Sequence, residues 1–249
     1  MLIDILAAGA SAAPQNKFGF AEALHGNYIA QATVAIMAFF SFGSFFILFT
    51  RWADQAKIFK AYKALGGFWK AASLKEGIAK LEKNSPFRDL AEAGLLADEN
   101  HDKLVDAQEA HDWVHGSLAR TEGGISAFLA RGLPFLATVG STAPFIGLFG
   151  TVVGIYRALI AIGLAGSASI DKVAGPVGES LIMTAIGLLV AVPAVLAYNF
   201  LQARNKRINE LLSGFSADVL AYINSKGAIK PAVPVAPVKA APAPAPVKK

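Results

Sequence analysis

The chain has 249 residues, of which 54% are hydrophobic and only 16% are charged, and its mean hydropathy is +0.47. This composition is too apolar for an ordinary soluble domain of that length and indicates an integral membrane protein. The sequence contains no cysteine, which excludes disulfides, thiolate metal sites and cysteine nucleophiles.

Residues 1–26 precede the first long apolar segment and are expected on the outer face of a membrane. Residues 1–12 contain a run of small residues like that near signal-peptide cleavage sites. They lack a basic n-region, however, and Asp4 interrupts the short apolar stretch. An amphipathic surface segment therefore explains residues 1–26 better than a cleaved signal does.

Residues 27–50 form the first predicted transmembrane helix. The stretch 28–49 is uncharged, and at about 1.5 Å per residue it is long enough to cross the roughly 30 Å of hydrocarbon in a bilayer. Tyr28 and Trp52 bracket this stretch, as aromatic residues do at membrane interfaces.

Residues 51–131 lose this apolar character and are predicted to form a helical cytoplasmic loop. Apolar residues recur there at helical spacing, in the sets Ile58, Tyr62, Leu65 and Phe68, and Leu90, Ala93, Leu96 and Ala97. The first half of the loop is basic and the second half acidic, which favours solvated helix faces over a docking surface. His111 and His115 have the i, i+4 spacing of metal ligands, but no third ligand is recognisable, so we predict no metal site and no cofactor.

Two further transmembrane helices are predicted at residues 132–163 and 174–203, joined by an outer loop at 164–173. A cytoplasmic helix over 204–226 and a Pro-, Ala- and Lys-rich tail over 227–249, expected to be disordered, follow. Basic residues cluster beside the spans: Arg51, Lys57, Lys60, Lys63, Arg131, Arg204, Lys206 and Arg207. By the positive-inside rule they place the N-terminus outside and the C-terminus in the cytoplasm, and no nucleic-acid partner is needed to explain them.

Glu179 is the only carboxylate within the three predicted spans. An ionisable group in a bilayer is costly and marks a functional site by default. If the second and third spans form a hairpin that turns near Ser169, Arg157 lies at the depth of Glu179, and Thr151 lies at that of Thr184. Two interpretations stay open. Glu179 and the threonines line a polar route through the bilayer, or Glu179 pairs with Arg157 while the threonines bond to their own i−4 carbonyls.

Small residues form a stripe along each of these two spans. In the second span the stripe consists of Gly140, Ala143, Gly147, Gly150 or Thr151, Gly154, Ala158 and Ala161. In the third span it consists of Thr184, Gly187, Ala191 and Ala194. Because small side chains let helices approach closely in lipid, the spans are predicted to pack tightly, against each other or against copies of the chain.

Two segments carry a family resemblance. Residues 137–155, ATVGSTAPFIGLFGTVVGI, resemble the second-span signature of the ExbB, TolQ and MotA proton-channel superfamily. Residues 175–181, GPVGESL, together with TAIGL at 184–188 and AVPAV at 191–195, resemble its third span. The motif TAPFIGLFGT is closer to the ExbB branch than to the TolQ branch, whose members more often carry Ser-Pro there.

The resemblance implies roles for individual residues. Glu179, Thr151 and Thr184 match polar residues that line the family's proton pathway, and Asn199 matches an asparagine at the cytoplasmic boundary. Helix packing is assigned to Gly140, Gly147, Gly150, Gly154 and Gly187, and modulating roles to Arg157, Asn199 and Pro193. The chain departs from the family pattern at Val153, where Trp is common, at Gly178 and Ser180, where Ala is usual, and at Arg157, where the residue is commonly uncharged.

The fold implied is an all-α integral membrane protein with three transmembrane helices extended into the cytoplasm. The resemblance further implies a homo-oligomeric ring, expected to be a pentamer, in the lipid of the bacterial inner membrane. An ExbD-like single-span protein and a TonB-like protein are the expected partners, and the expected function couples proton-motive force to outer-membrane transport of iron chelates. The alternatives are a TolQ-like subunit for envelope integrity and a non-conducting scaffold. No enzyme motif stands out.

Overall fold

The computed structural model describes residues 28–101, 107–165 and 170–230. These residues form seven helices. In chain order they are α1 (Tyr28–Lys63), α2 (Leu65–Phe68), α3 (Leu74–Ala79), α4 (Pro86–His101), α5 (Ala107–Ala130), α6 (Leu133–Ala165) and α7 (Ile170–Asn224). Within these ranges no strand is found, which agrees with the predicted all-helical class. The predicted segment 1–26 and the tail from residue 231 onward lie outside the described residues.

Three helical stretches of the described chain are long and apolar enough to cross a membrane. They are Tyr28–Phe68, which contains α1, Asp112–Leu164, which contains most of α6, and Ser180–Asn224, which lies within α7. Among the described residues these match the three predicted spans in number and in chain order. The helices run past the predicted ends of the spans, since α1 continues to Lys63 and α7 to Asn224. At the predicted outer loop over 164–173, α6 ends at Ala165 and α7 begins at Ile170, and the residues between them lie outside the described ones.

The chain divides into two compact units. Residues 28–49 and 132–200 belong to the first, here called the membrane unit, and residues 50–131 and 201–230 belong to the second, the extramembrane unit. The membrane unit has a core of Met37, Val139, Ala143, Val190, Ala191 and Ala194. Gly132 lies immediately before α6 and has a φ of +86°. A Cβ there would lie 2.8 Å from the Ile47 side chain, so only glycine suits the turn into α6.

The extramembrane unit is held by an aromatic cluster. The Phe87 and Phe215 rings meet edge to face with centroids 5.4 Å apart, and Phe68 meets the same Phe215 ring at 5.3 Å. All three rings are buried, and such pairs add about 0.5–1.5 kcal/mol beyond the area they bury. Of the first set of regularly spaced apolar residues, Ile58, Leu65 and Phe68 lie in this core, and Tyr62 packs against it.

The second set of regularly spaced apolar residues lies on α4. Leu90 and Ala97 of this set are buried in the core of the extramembrane unit, whereas Leu96 is 61% exposed. A Cβ on Gly94 would lie 3.0 Å from Val219 Cγ1, so the bare glycine backbone packs against α7.

A buried amide network joins three helices of the extramembrane unit. Gln55 Nε2 donates to the Leu201 carbonyl over 3.0 Å, and Arg204 Nε donates to Gln55 Oε1 over 2.8 Å. Asn205 Nδ2 donates to the Leu129 carbonyl over 2.9 Å. Gln55 is 1% exposed, and a satisfied polar network of this kind specifies one packing arrangement among the helices that carry it.

Candidate functional site

The backbones of α6 and α7 touch at a pair of glycines. A Cβ on Gly147 would lie 2.7 Å from the Met183 carbonyl oxygen and 3.2 Å from the Gly187 Cα. A Cβ on Gly187 would lie 2.8 Å from the Ala143 carbonyl oxygen. Neither clash can be relieved by turning a side chain, so this crossing requires glycine on both helices.

The other predicted packing glycines also face α7. A Cβ on Gly150 would lie 3.1 Å from Met183 Cβ, and a Cβ on Gly140 or Gly154 would collide with Val195 or Ser180 respectively. Within the chain, α6 and α7 approach closely along these small residues, and the role of the glycines in packing against copies of the chain stays a prediction. Close approach in turn brings polar side chains on the two helices within hydrogen-bonding reach.

Thr151 and Thr184 meet at this crossing, as the hairpin estimate predicts. Their hydroxyl oxygens are hydrogen-bonded to each other. Thr151 Oγ1 also lies 3.0 Å from the Gly147 carbonyl oxygen and 3.2 Å from the Ser180 carbonyl oxygen. Thr151 has its own i−4 carbonyl, as the second sequence interpretation expects, and also a partner on the other helix. The polar route through the bilayer stays a prediction.

The Thr151 hydroxyl has one proton and three neighbouring oxygens, which are the two carbonyl oxygens and the Thr184 hydroxyl. Thr151 either donates to the Thr184 hydroxyl, or it donates to a carbonyl and accepts from Thr184. The two arrangements use the same heavy-atom positions, so the direction of the hydrogen bond can reverse without movement of either helix. Such a pair can relay a proton only where a further proton donor or acceptor reaches it, since the two carbonyls beside Thr151 accept hydrogen bonds and release no proton.

The two threonines differ in how far they are buried. Thr151 is 7% exposed, whereas Thr184 is half-buried. Thr184 is therefore the member of the pair that water or a partner molecule reaches first.

Glu179 lies in α7, and its side chain is outside the described residues. Arg157 lies in α6 and is exposed. At about 1.5 Å per residue, Glu179 stands roughly 8 Å along the helix axis from Thr184. Pairing between Glu179 and Arg157 stays a prediction.

The remaining residues singled out in the sequence take no part in the Thr151–Thr184 contact. Asn199 is exposed and Pro193 is half-buried, both within α7. His115 is exposed on α5, and the side chain of His111 lies outside the described residues. Within the residues that the structure describes, no cluster of potential metal ligands is found.

Sequence reasoning missed two hydroxyl residues near the crossing. Ser180 is 1% exposed and supplies the carbonyl beside Thr151. Thr33 on α1 is 4% exposed, and its methyl group lies 3.5 Å from the position that a Cβ on Gly150 would take. The i, i+4 spacing of Ser180 and Thr184 could have indicated the first of these, because such residues share a helix face. No comparable pattern marks Thr33.

Comparison with known proteins gives a consistent result. The model of the MotA/TolQ/ExbB proton channel family matches residues 82–213. "Biopolymer transport protein ExbB" of Xanthomonas campestris pv. campestris (strain B100) is 43% identical over 162 residues, which cover 61% of this chain and 64% of that protein. The protein of the same name from Neisseria gonorrhoeae is 40% identical over 153 residues, which cover 59% of this chain and 70% of the relative.

A second group of relatives matches a shorter stretch. "Tol-Pal system protein TolQ" of Pseudomonas aeruginosa is 44% identical over 98 residues, which cover 39% of this chain and 42% of that protein. The alignment with the Xanthomonas relative leaves more than a third of that protein's length unmatched.

Proposed function

The chain belongs to the MotA/TolQ/ExbB proton channel family, and on that premise we propose that it is an ExbB-like subunit of a proton-driven motor in the bacterial inner membrane. In this role it couples proton-motive force, together with an ExbD-like single-span protein and a TonB-like protein, to transport across the outer membrane. Iron chelates are the expected cargo class. The chain itself is not an enzyme in this proposal.

The Thr151–Thr184 hydroxyl pair is the observation that carries the proposal. It lies between two apolar helices, where an unused polar group is costly. Its reversible hydrogen bond suits proton transfer, and Glu179 on α7 is a titratable group within a few turns of it. One proton moving through 100 mV yields about 2.3 kcal/mol, which is enough to bias a helix between two packings.

Exposed apolar side chains support an oligomer within lipid. Large residues on the membrane unit that face outward include Phe39, Phe42, Phe46, Phe145, Leu188, Leu189 and Val192. A soluble monomer rarely exposes so extensive an apolar surface. Membrane lipid and neighbouring copies would cover it, in a ring that we take to be a pentamer enclosing the partner's span.

The ExbB-like assignment is preferred over the TolQ-like one for two reasons. The ExbB relatives align over 162 and 153 residues, against 98 for the TolQ relative. The second-span motif also resembles the ExbB branch. Growth tests separate the two, because an ExbB-like subunit is required for iron-chelate uptake and a TolQ-like subunit for detergent resistance.

Proton flux in liposomes tests the channel directly. The purified chain is reconstituted with and without its ExbD-like partner, a membrane potential is imposed, and internal pH is followed. We expect flux only with the partner present, and a reduced flux for the double change Thr151→Val and Thr184→Val. Unchanged flux in that variant would exclude the hydroxyl pair from the pathway, and a complex without any flux would favour the scaffold.

A further inference from the structure

A small, partly open cavity lies between α1 and α7 of the membrane unit, and neither threonine of the hydroxyl pair lines it. Ser41 and Ser44 line it from α1, and Leu189 and Pro193 line it from α7; its other lining residues are apolar. Two serine hydroxyls on the α1 side of an otherwise apolar cavity point to a small hydrogen-bonding ligand.

Ser44 is buried without a hydrogen-bond partner. The residue is 5% exposed, and its Oγ makes no hydrogen bond to any described residue. A serine in a transmembrane helix ordinarily bonds to a carbonyl of its own preceding turn. An unsatisfied buried hydroxyl costs about 1–3 kcal/mol, so a partner in the adjoining cavity would be stabilising.

Pro193 supplies a second group in need of a partner. It lies inside α7 and has no N–H, so the carbonyl of Leu189, four residues earlier, loses its helical hydrogen bond. In a bilayer such a carbonyl must find a donor elsewhere. Because Ser44 and Leu189 line the same cavity, a single bridging molecule can serve both.

The cavity has room for about one water molecule. The space open to the centre of a water-sized sphere is about 10 Å³, which is close to the minimum of roughly 10–15 Å³ needed for a single water. A buried water makes about three hydrogen bonds, and Ser44, Ser41 and the Leu189 carbonyl offer that number.

We propose that Ser44, Ser41 and the Leu189 carbonyl hold one structural water between α1 and α7. The water donates to the Leu189 carbonyl and exchanges hydrogen bonds with the serine hydroxyls. It thereby replaces the donor that Pro193 lacks and links the proline turn of α7 to α1. This site rests on the cavity and its two unsatisfied groups, and it does not depend on the proposed proton pathway.

Because the sequence contains no cysteine, one introduced thiol can be followed alone. The variant Ser44→Cys, in nanodiscs, gives a single S–H infrared band whose exchange to S–D in D2O reports contact with water. Val139→Cys is the matched control, since Val139 is 0% exposed within the apolar core of the same unit. We expect Ser44→Cys to exchange at least about tenfold faster than the control, equivalent to about 1.4 kcal/mol.

Equal exchange rates for the two thiols would overturn the proposal, since Ser44 would then be as dry as the core. The addition of Pro193→Ala to Ser44→Cys tests the bridge, because alanine restores an N–H for the Leu189 carbonyl. Exchange should then slow towards the control rate. Fast exchange in a correctly folded double variant would contradict the carbonyl's part in the site. If that variant does not fold, the comparison of the two single thiols decides.

Discussion

Gln55 and Asn205, which are 150 positions apart in the chain, share a buried hydrogen bond from Nε2 of Gln55 to Oδ1 of Asn205 over 2.7 Å. The pair lies within the extramembrane unit and links α1 to α7. Gln55 uses its remaining donor on the Leu201 carbonyl and its acceptor on Arg204. Every polar atom of the Gln55 side chain therefore has a partner.

Gln55→Leu should destabilise the protein by about 1–3 kcal/mol, because it removes three hydrogen bonds and leaves the buried Asn205 Oδ1 without the Gln55 donor. Thermal unfolding followed by helix content measures the loss. Gln202→Leu is the control, since Gln202 is exposed on α7, and it should change stability by less than about 0.5 kcal/mol. Similar melting temperatures for the two variants would show that the network adds no stability.

Glu179→Ala should abolish energised uptake while expression and assembly are retained, because Glu179 is the sole carboxylate in the predicted spans. Uptake of an iron chelate by cells that carry only the variant gives the measurement. Glu210→Ala serves as the control, because Glu210 pairs with Arg207 on an exposed surface. Wild-type uptake in Glu179→Ala cells would refute the channel function.

Gly147→Leu should separate α6 from α7 and disrupt the oligomer, since even a Cβ at this position meets the Met183 carbonyl oxygen at 2.7 Å. Native mass spectrometry reads the oligomeric state. Leu148, the next residue, is 50% exposed, so the control variant Leu148→Phe should be tolerated. An intact oligomer in the glycine variant would contradict the packing assignment.

Arg157→Ala distinguishes a motor from a scaffold. Arg157 is exposed, so we expect its loss to change transport rate or the pH dependence of transport with little effect on melting temperature. A scaffold with a buried Glu179–Arg157 pair would instead lose about 3–5 kcal/mol. In that case the addition of Glu179→Gln would restore stability, and this pair of results would overturn the motor assignment.

Asp218→Asn should stabilise the extramembrane unit at neutral pH. Partial burial raises the pKa of the Asp218 carboxyl above its usual 3.8. A raised pKa in the folded state means that stability is full below the unfolded pKa and is lost as pH rises through the folded pKa. The gain in stability from Asp218→Asn should thus vanish as pH falls below about 3.8, where the Asp218 carboxyl is protonated in both the folded and the unfolded state. Melting curves at pH 7 and pH 3 test this, and a less stable variant at pH 7 would contradict it.

Sequence patterns predicted the features that depend on local spacing. The three spans follow from apolar length, and the α6–α7 crossing follows from glycines at intervals that share one helix face. The helical spacing of Leu90 and Leu96 could not show which of them is buried, and the packing of Gly94 against α7 involves no side chain that such a pattern would count. The Gln55–Asn205 pair could not be predicted, since polar residues next to a span look solvated and their partners lie far away in the sequence.

The single proton that Thr151 offers to three oxygens also has a kinetic meaning. In the proposed proton pathway, a proton that crosses the two hydroxyls would leave both O–H bonds pointing the opposite way, and they would have to rotate back before the next proton can follow. Each passage would then consist of a proton transfer and a rotation. The pair would pass one proton at a time, and the rotation would limit how soon the next one follows.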